Sequence, residues 1–97
     1  MFTATQEQIE EWKKKYGPVF RIKVADAACY LRTPDRKILG FASVAGKSDP
    51  LKFPEAILRN CWLAGDEVIR ENDAYFLGAA GQLDQIVEIK EAELEKL

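Results

Sequence analysis

The sequence predicts a single α+β domain that is rich in helix, with one N-terminal β-hairpin and about four helices. Its length of 97 residues is enough for one compact domain and too short for two. Hydrophobic residues make up 47% of the chain and charged residues 31%, which is the balance of a globular protein with a core. Apolar residues recur at helical spacing along most of the chain, whereas one early segment alternates between apolar and polar residues as a strand does. We therefore expect residues 1–97 to form one domain.

The first predicted helix covers residues 5–16. Thr3 or Thr5 can cap its start, because each is followed three residues later by a glutamine that completes a capping box. Three lysines end the helix, where the helix dipole favours positive charge, and Gly17 with Pro18 then stops it. The apolar side chains of this segment fall on one stripe: Phe2, Ile9, Trp12 and Tyr16. So narrow a stripe on a charged helix indicates that the helix lies on the surface of the domain or against a partner.

A β-hairpin is predicted near residues 19–32. Residues 19–24 are rich in β-branched side chains and alternate between apolar and polar in their second half, which is typical of a strand. Asp26 and Ala27 allow a turn, and residues 28–32 supply the second strand. We expect the two strands to pair antiparallel.

Residues 33–45 admit two interpretations. As a helix the segment is well started, with Thr33 at the cap, Pro34 in the first helical position and Asp35 in the first turn. The side chains that would share one face of this helix are Ile38, Phe41, Ala42 and Ala45. As a hairpin, the same three residues would instead form the turn between two strands. We prefer the helix, over residues 34–45.

The next helix is predicted over residues 54–64. Pro54 suits its first position, and Gly65 ends it. The apolar residues that recur at helical spacing between them are Ile57, Leu58, Cys61 and Trp62. We expect Trp62 to be buried among these side chains, and Trp12, on its narrow stripe, to be more exposed.

The last helix is predicted over residues 73–95, after a short turn that Asp66 can cap. Asn72 or Asp73 can cap the helix itself. A roughly seven-residue rhythm, broken by Lys90, connects its apolar residues: Phe76, Ala80, Leu83, Val87, Leu94 and Leu97. Such a face either binds a partner helix or closes a homodimer, and the sequence leaves both interpretations open.

The composition predicts that the protein has no catalytic site and holds no cofactor or metal ion. Histidine, the commonest general base and zinc ligand, is absent from the sequence. Cys29 and Cys61 stand alone, without the spacing of a metal site or a redox pair, and we interpret both as reduced core thiols. Residues 46–48 resemble the end of a phosphate-binding loop, but five residues separate Gly40 from Gly46 where that motif requires four.

The distribution of charge predicts no nucleic-acid partner and no membrane partner. The net charge of -2 and the isoelectric point near 5.2 differ from the basic character of nucleic-acid-binding domains. No apolar run approaches the roughly 20 residues that cross a bilayer. Glu7, Glu10 and Lys13 stand where a signal peptide needs its apolar stretch. We therefore expect a cytoplasmic protein.

Three segments carry a resemblance to known proteins. They are Tyr30-Leu31-Arg32-Thr33-Pro34, Asn60-Cys61-Trp62-Leu63-Ala64-Gly65-Asp66 and the long segment 73–97. In this order the segments resemble a group of small proteins of tailed phages and prophages from anaerobic gut bacteria. In size and layout those proteins look like tail assembly chaperones, which hold the tape-measure protein in solution while the tail tube assembles around it. The resemblance implies a protein partner and no catalytic residue.

The resemblance implies a non-enzymatic phage or prophage morphogenesis protein in the cytoplasm of a bacterial host. Its expected partner is the tape-measure protein or another tail protein, which amphipathic helices at both ends of the chain would contact. The residues expected to make that contact are Phe2, Ile9, Trp12, Tyr16, Phe76, Leu83 and Val87. Two alternatives are a structural head-tail connector or completion protein, and a small regulatory protein that acts on a host factor.

Overall fold

The computed structural model describes residues 1–97 and confirms the α+β class, with five α-helices and a three-stranded antiparallel sheet. The helices are α1 (Gln6–Tyr16), α2 (Arg36–Ala45), α3 (Lys52–Cys61), α4 (Val68–Glu71) and α5 (Asp73–Ala80). The strands are β1 (Val19–Val24), β2 (Ala27–Arg32) and β3 (Trp62–Gly65). A 3₁₀ turn follows at Leu83–Ile86, and residues 87–97 have no regular secondary structure. Nearly half of the residues are helical, so helix exceeds strand as the sequence predicts.

β2 is the central strand of the sheet, with β1 and β3 on its two sides. The predicted hairpin of β1 and β2 is confirmed, with Ile22 opposite Cys29. Because side chains alternate between the two faces of a strand, Cys29 and Leu31 enter the core while Tyr30 points to the other face. The first five residues of β2 are all buried, so both faces of this strand are covered.

The hairpin turn consists of Ala25 and Asp26, because Val24 and Ala27 form the last pair of the ladder. Ala25 has a φ of +53°, the left-handed conformation that tight turns between strands use. Asp26 Oδ1 accepts a hydrogen bond of 2.6 Å from the hydroxyl of Tyr75, which ties the turn to α5. This hydrogen bond lowers the pKa of Asp26 and raises the pKa of Tyr75.

The core lies between the sheet and helices α2 to α5. It is a cluster of 14 buried residues, to which α1 contributes none. Its largest fully buried side chains are Leu31, Ile57, Ile69, Cys29 and Cys61. No polar or charged residue is buried. None of the helices combines the length and apolar character that spanning a bilayer requires.

Side-chain caps start α1 and α2. Thr5 is the N-cap of α1 and forms the capping box with Gln8, which confirms one of the two predicted alternatives. Residues 36–45 are helical, so the hairpin alternative for this region is wrong. The cap of α2 is Asp35 rather than Thr33, because Asp35 Oδ1 accepts a hydrogen bond of 2.8 Å from the N–H of Ile38.

The helix predicted over residues 54–64 is wrong at its end, because the chain there forms β3. α3 ends at Cys61, and the next four residues pair with β2. Pairing satisfies backbone groups along the edge of β2 that β1 does not reach. Gly65 lies opposite Cys29, and a Cβ at this glycine would be 2.6 Å from the Cα of Cys29. The two strands therefore approach each other at a distance that glycine permits.

Trp62 is half-buried rather than fully buried, so that part of the prediction is wrong, and Trp12 is half-buried as well. Helical spacing would have placed Trp62 among the inward residues of α3. As a residue of β3 it packs against the core, and the guanidinium of Arg70 covers its ring at 4.1 Å from the centroid. The ring of Trp12 lies 5.8 Å from the ring of Tyr30, which shields part of it from water.

The helix predicted over residues 73–95 is wrong beyond Ala80. α5 ends there and Gly81 follows, a residue with low helix propensity. Leu83 and Ile86 then enter the core within the 3₁₀ turn, and each is 3% exposed. Burying two large aliphatic side chains stabilises the fold more than continuing a glycine-weakened helix would. The seven-residue rhythm therefore does not correspond to one helix face.

Candidate protein-binding surface

The four partner contacts predicted on the first helix lie on the outer face of the sheet. Each of these side chains is half-buried: Phe2, Ile9, Trp12 and Tyr16. The rings of Phe2 and Trp12 lie 5.9 Å and 5.8 Å from the ring of Tyr30. The guanidinium of Arg32 lies 5.0 Å from the centroid of the Tyr16 ring. The four side chains thus lie on one surface as predicted, but that surface packs against the protein's own sheet rather than facing outward for a partner.

Hydrogen bonds also fix the residues before α1 to the sheet. The N–H of Ala4 donates to the hydroxyl of Tyr30 at 3.2 Å. The carboxylate of Asp66 accepts from the N–H of Phe2 at 2.8 Å and from the N–H of Ala28 at 3.0 Å. These two bonds lower the pKa of Asp66. Asp66 was predicted to cap a short turn, but Glu67 precedes α4, and the side chain of Asp66 joins the amino terminus to β2 instead.

The three partner contacts predicted near the carboxyl end are not brought into one surface. Leu83 lies in the core, so its side chain is not offered to a partner, and this part of the prediction is wrong. Phe76 is half-buried against the core, and Val87, also half-buried, follows the 3₁₀ turn. The cause is the end of α5 at Ala80, which separates Phe76 from the other two residues.

Exposed apolar side chains instead form a ridge on α2, made of Phe41 and Val44, and a further exposed apolar residue, Leu51, stands just before α3. Phe41 is 62% exposed, Val44 is 74% exposed and Leu51 is 52% exposed. Phe41 was predicted to share a face with Ile38 and Ala42, but those two side chains alone are the buried ones of α2. Phe41 and Val44 are three positions apart and therefore neighbours on the helix surface. A sequence signal was present, because α2 has more apolar residues than one buried stripe needs.

Charged and polar side chains border this ridge. A shallow groove of about 300 Å³ runs between α2 and α3 beside Phe41. Glu55 lines it and forms exposed ion pairs with Lys52 at 3.7 Å and Arg59 at 3.5 Å. Lys37 lines a second shallow depression that also contains Phe41. Three cations and one carboxylate therefore line the grooves beside Phe41. Exposed ion pairs such as those of Glu55 break at little cost.

The cysteine and acidic side chains away from these surfaces form no reactive or metal-binding group. Burial raises the pKa of Cys29 and of Cys61 to about 11, so both thiols are protonated at neutral pH and are poor nucleophiles. Glu67 accepts hydrogen bonds from Arg70 in a close ion pair. No group of three or more cysteine, aspartate and glutamate side chains is placed to hold a metal ion.

No protein-family model, no curated protein and no solved structure matches this chain.

Proposed function

We propose that this chain is a non-enzymatic phage or prophage morphogenesis protein, a tail assembly chaperone that binds the tape-measure protein in the cytoplasm of a bacterial host. The resemblance of residues 30–34 and 60–66 to small phage proteins supports this proposal. The observation that carries it is the exposed apolar ridge of Phe41 and Val44. More than half of each residue is exposed, and adjacent exposed apolar side chains of this kind mark a surface for a partner.

A helical client is the partner that fits the ridge. Phe41 and Val44 lie side by side on α2, so they can enter the spaces between apolar side chains that recur every three or four residues on a client helix. Lys37, Lys52 and Arg59 favour a client that has carboxylates beside its apolar stripe. A long helical protein such as the tape-measure protein offers many such stripes in succession.

The ridge on α2 is a better client surface than the stripe on α1. The two lie on opposite sides of the sheet, because Tyr30 contacts α1 while Leu31 faces the core beneath α2 and α3. One client helix could not contact both. We assign the stripe on α1 to covering the sheet and the ridge on α2 to binding.

The absence of enzymatic activity is part of the proposal. It is supported by the two cysteines, whose thiols are protonated at neutral pH, and by Asp66, whose carboxylate is occupied by backbone N–H groups. Glu67 is likewise engaged by Arg70. General acid–base and nucleophilic catalysis need groups that are free to exchange protons or attack a substrate.

Co-expression with the tape-measure protein of the same phage tests the proposal. We expect the full chain to bring that protein into the soluble fraction and to co-purify with it. Phe41→Ser and Val44→Ser should each lower the soluble yield of the client and leave the thermal midpoint of the chaperone nearly unchanged, because both residues are exposed.

Leu77→Ser is the matched control, since Leu77 is 53% exposed on α5, away from the ridge. It should leave the client soluble. If Leu77→Ser reduces the yield as much as Phe41→Ser does, the ridge is not the client surface. If the client stays insoluble with the unaltered chain, the chaperone proposal fails and a head-tail connector becomes the better interpretation.

A further inference from the structure

We propose that the outer edge of β1 is a second binding site, and that residues 91–95 from the C-terminal segment of a second copy bind there as a fourth strand. This self-association is separate from client binding on α2. It extends the sheet by strand addition, in which backbone hydrogen bonds provide affinity and alternating side chains provide specificity.

The edge of β1 is open. β1 pairs with β2 on one side and has no strand on the other, so backbone N–H and C=O groups point outward along it. A groove of about 570 Å³ follows this edge. One wall of the groove is β1 itself. The other wall comes from α5, where Gly78 lines the groove, and from the 3₁₀ turn, where Ile86 lines it. Because Gly78 has no side chain, α5 lies close to Val24.

The groove is apolar on one side and basic on the other. Phe20, Ile22 and Val24 point toward the core side of the sheet, where Ile86 also lines the groove. Arg21 and Lys23 alternate with them and are exposed on the opposite side. No carboxylate lines the groove. The other wall also carries Gln82 and Gln85, which can donate hydrogen bonds to an incoming strand. A strand that is apolar at every second residue and acidic between therefore matches β1 best.

Residues 91–95 have this pattern. The segment reads Glu91-Ala92-Glu93-Leu94-Glu95, so that its three carboxylates would share one face of a strand and its two apolar side chains the other. It has no regular secondary structure, and Leu94 is fully exposed. The segment is thus free to bind elsewhere without first being released from a helix or from the core.

Paired with β1, the segment would match each face of the strand. Cross-strand neighbours on the same side contact each other, so the glutamates would lie beside Arg21 and Lys23 while Leu94 lies beside the apolar residues of β1. A second β1 strand is a poorer occupant, because it would set Arg21 and Lys23 of the two copies against each other. Like charges in opposed positions destabilise a strand pair.

The occupant comes from a second copy because the chain's own tail leaves the domain. The principal dimensions are 54 × 36 × 19 Å, and the radius of gyration of 14.8 Å exceeds the value of about 12.5 Å for a compact chain of this length. Ile89, Leu94 and Leu97 are all more than 80% exposed. No residue beyond Ile86 lines the groove, so the protein's own tail leaves it open.

Sedimentation velocity of the full chain across a range of concentrations tests the proposal. We expect the weight-average mass to rise above that of one chain as concentration increases. Reversing the groove charges with Arg21→Glu and Lys23→Glu should weaken association at least about tenfold, and so should reversing the tail charges with Glu91→Lys, Glu93→Lys and Glu95→Lys. Lys14→Glu with Lys47→Glu is the control, since these exposed lysines lie outside the groove and should have little effect.

Two further measurements test whether the tail pairs with the edge of β1 specifically. A chain with both groove and tail reversed should associate again, because the charges are complementary once more. The outer N–H groups of β1 should exchange more slowly with solvent deuterium at high protein concentration than at low concentration. The proposal is overturned if the full chain is monomeric at all concentrations, if tail reversal leaves association intact, or if the doubly reversed chain does not associate.

Discussion

Two glycines of this chain have opposite structural roles. Gly65 of β3 lies opposite Cys29 of β2, and a Cβ added there would be 2.6 Å from both the Cα and the Cβ of Cys29. Gly40 lies in the middle of α2, and a Cβ added there would meet no atom within 4 Å. Glycine is therefore required at the first position and costs helix stability at the second.

Alanine at each position should thus change stability in opposite directions. Gly65→Ala should lower the free energy of unfolding by about 1 to 3 kcal/mol, because the backbone of Cys29 must move to make room. Gly40→Ala should raise the free energy of unfolding by about 0.5 to 1 kcal/mol through its better helix propensity. Urea unfolding of both variants measures the two changes. A stabilising Gly65→Ala would mean that β3 does not pair with β2 as described.

At the scale of elements, two buried residues after α5, Leu83 and Ile86, attach the end of the chain to the core. Leu83 belongs to the core although it follows α5, whereas Leu77 belongs to α5 and is 53% exposed. If the predicted long helix had formed, positions 76, 83 and 87 would have shared a face. In the observed fold, Leu83 is a core residue that is 3% exposed.

Truncating the two leucines should separate these interpretations. Leu83→Ala should destabilise the protein by about 2 to 5 kcal/mol, as is usual when a buried leucine leaves a cavity. Leu77→Ala should change the free energy of unfolding by no more than about 0.5 kcal/mol, because the residue is largely exposed. Thermal unfolding followed by circular dichroism gives both values. Equal effects of the two substitutions would contradict the end of α5 at Ala80.

Elements whose signals are local could be predicted from the sequence. α1 carries its own capping box and its own stop at Gly17, and β1 has the alternation of a strand. β3 could not be predicted, because its residues continue a helical rhythm and become a strand through pairing with β2, about thirty residues earlier in the chain. The end of α5 depends in the same way on the space that the core leaves for Leu83 and Ile86.

For the candidate surfaces, too, local sequence signals could be predicted and long-range contacts could not. The stripe on α1 was recognised as a set, but the residue that covers it, Tyr30, lies on a strand and no spacing along the helix reveals it. Helical spacing groups Phe41 with the inward residues Ile38 and Ala42, because periodicity cannot tell how wide a stripe the core will bury, and it gives no sign that Val44 belongs to an exposed surface. The open edge of β1 becomes visible once the order of the strands is known.

At the scale of the whole molecule, the sheet separates two layers that differ in how much they bury. α1 covers one face without a single buried residue of its own, and the core cluster fills the other. Cys29 on β2 and Cys61 at the end of α3 both belong to that cluster, and neither has any exposed surface. Each thiol therefore reports the opening of the same core from a different element.

This arrangement predicts that both thiols become reactive in one event. A thiol reagent should label Cys29, in the variant Cys61→Ala, with a free energy of opening equal to that variant's own free energy of global unfolding. The same equality should hold for Cys61 in the variant Cys29→Ala, because β2 and α3 share a single cluster and neither can expose its cysteine while the other stays packed. Labelling kinetics without denaturant, compared with urea unfolding of each variant, make the measurement. Labelling of Cys61 well before global unfolding would show that α3 detaches on its own and that the core is two cooperative units rather than one.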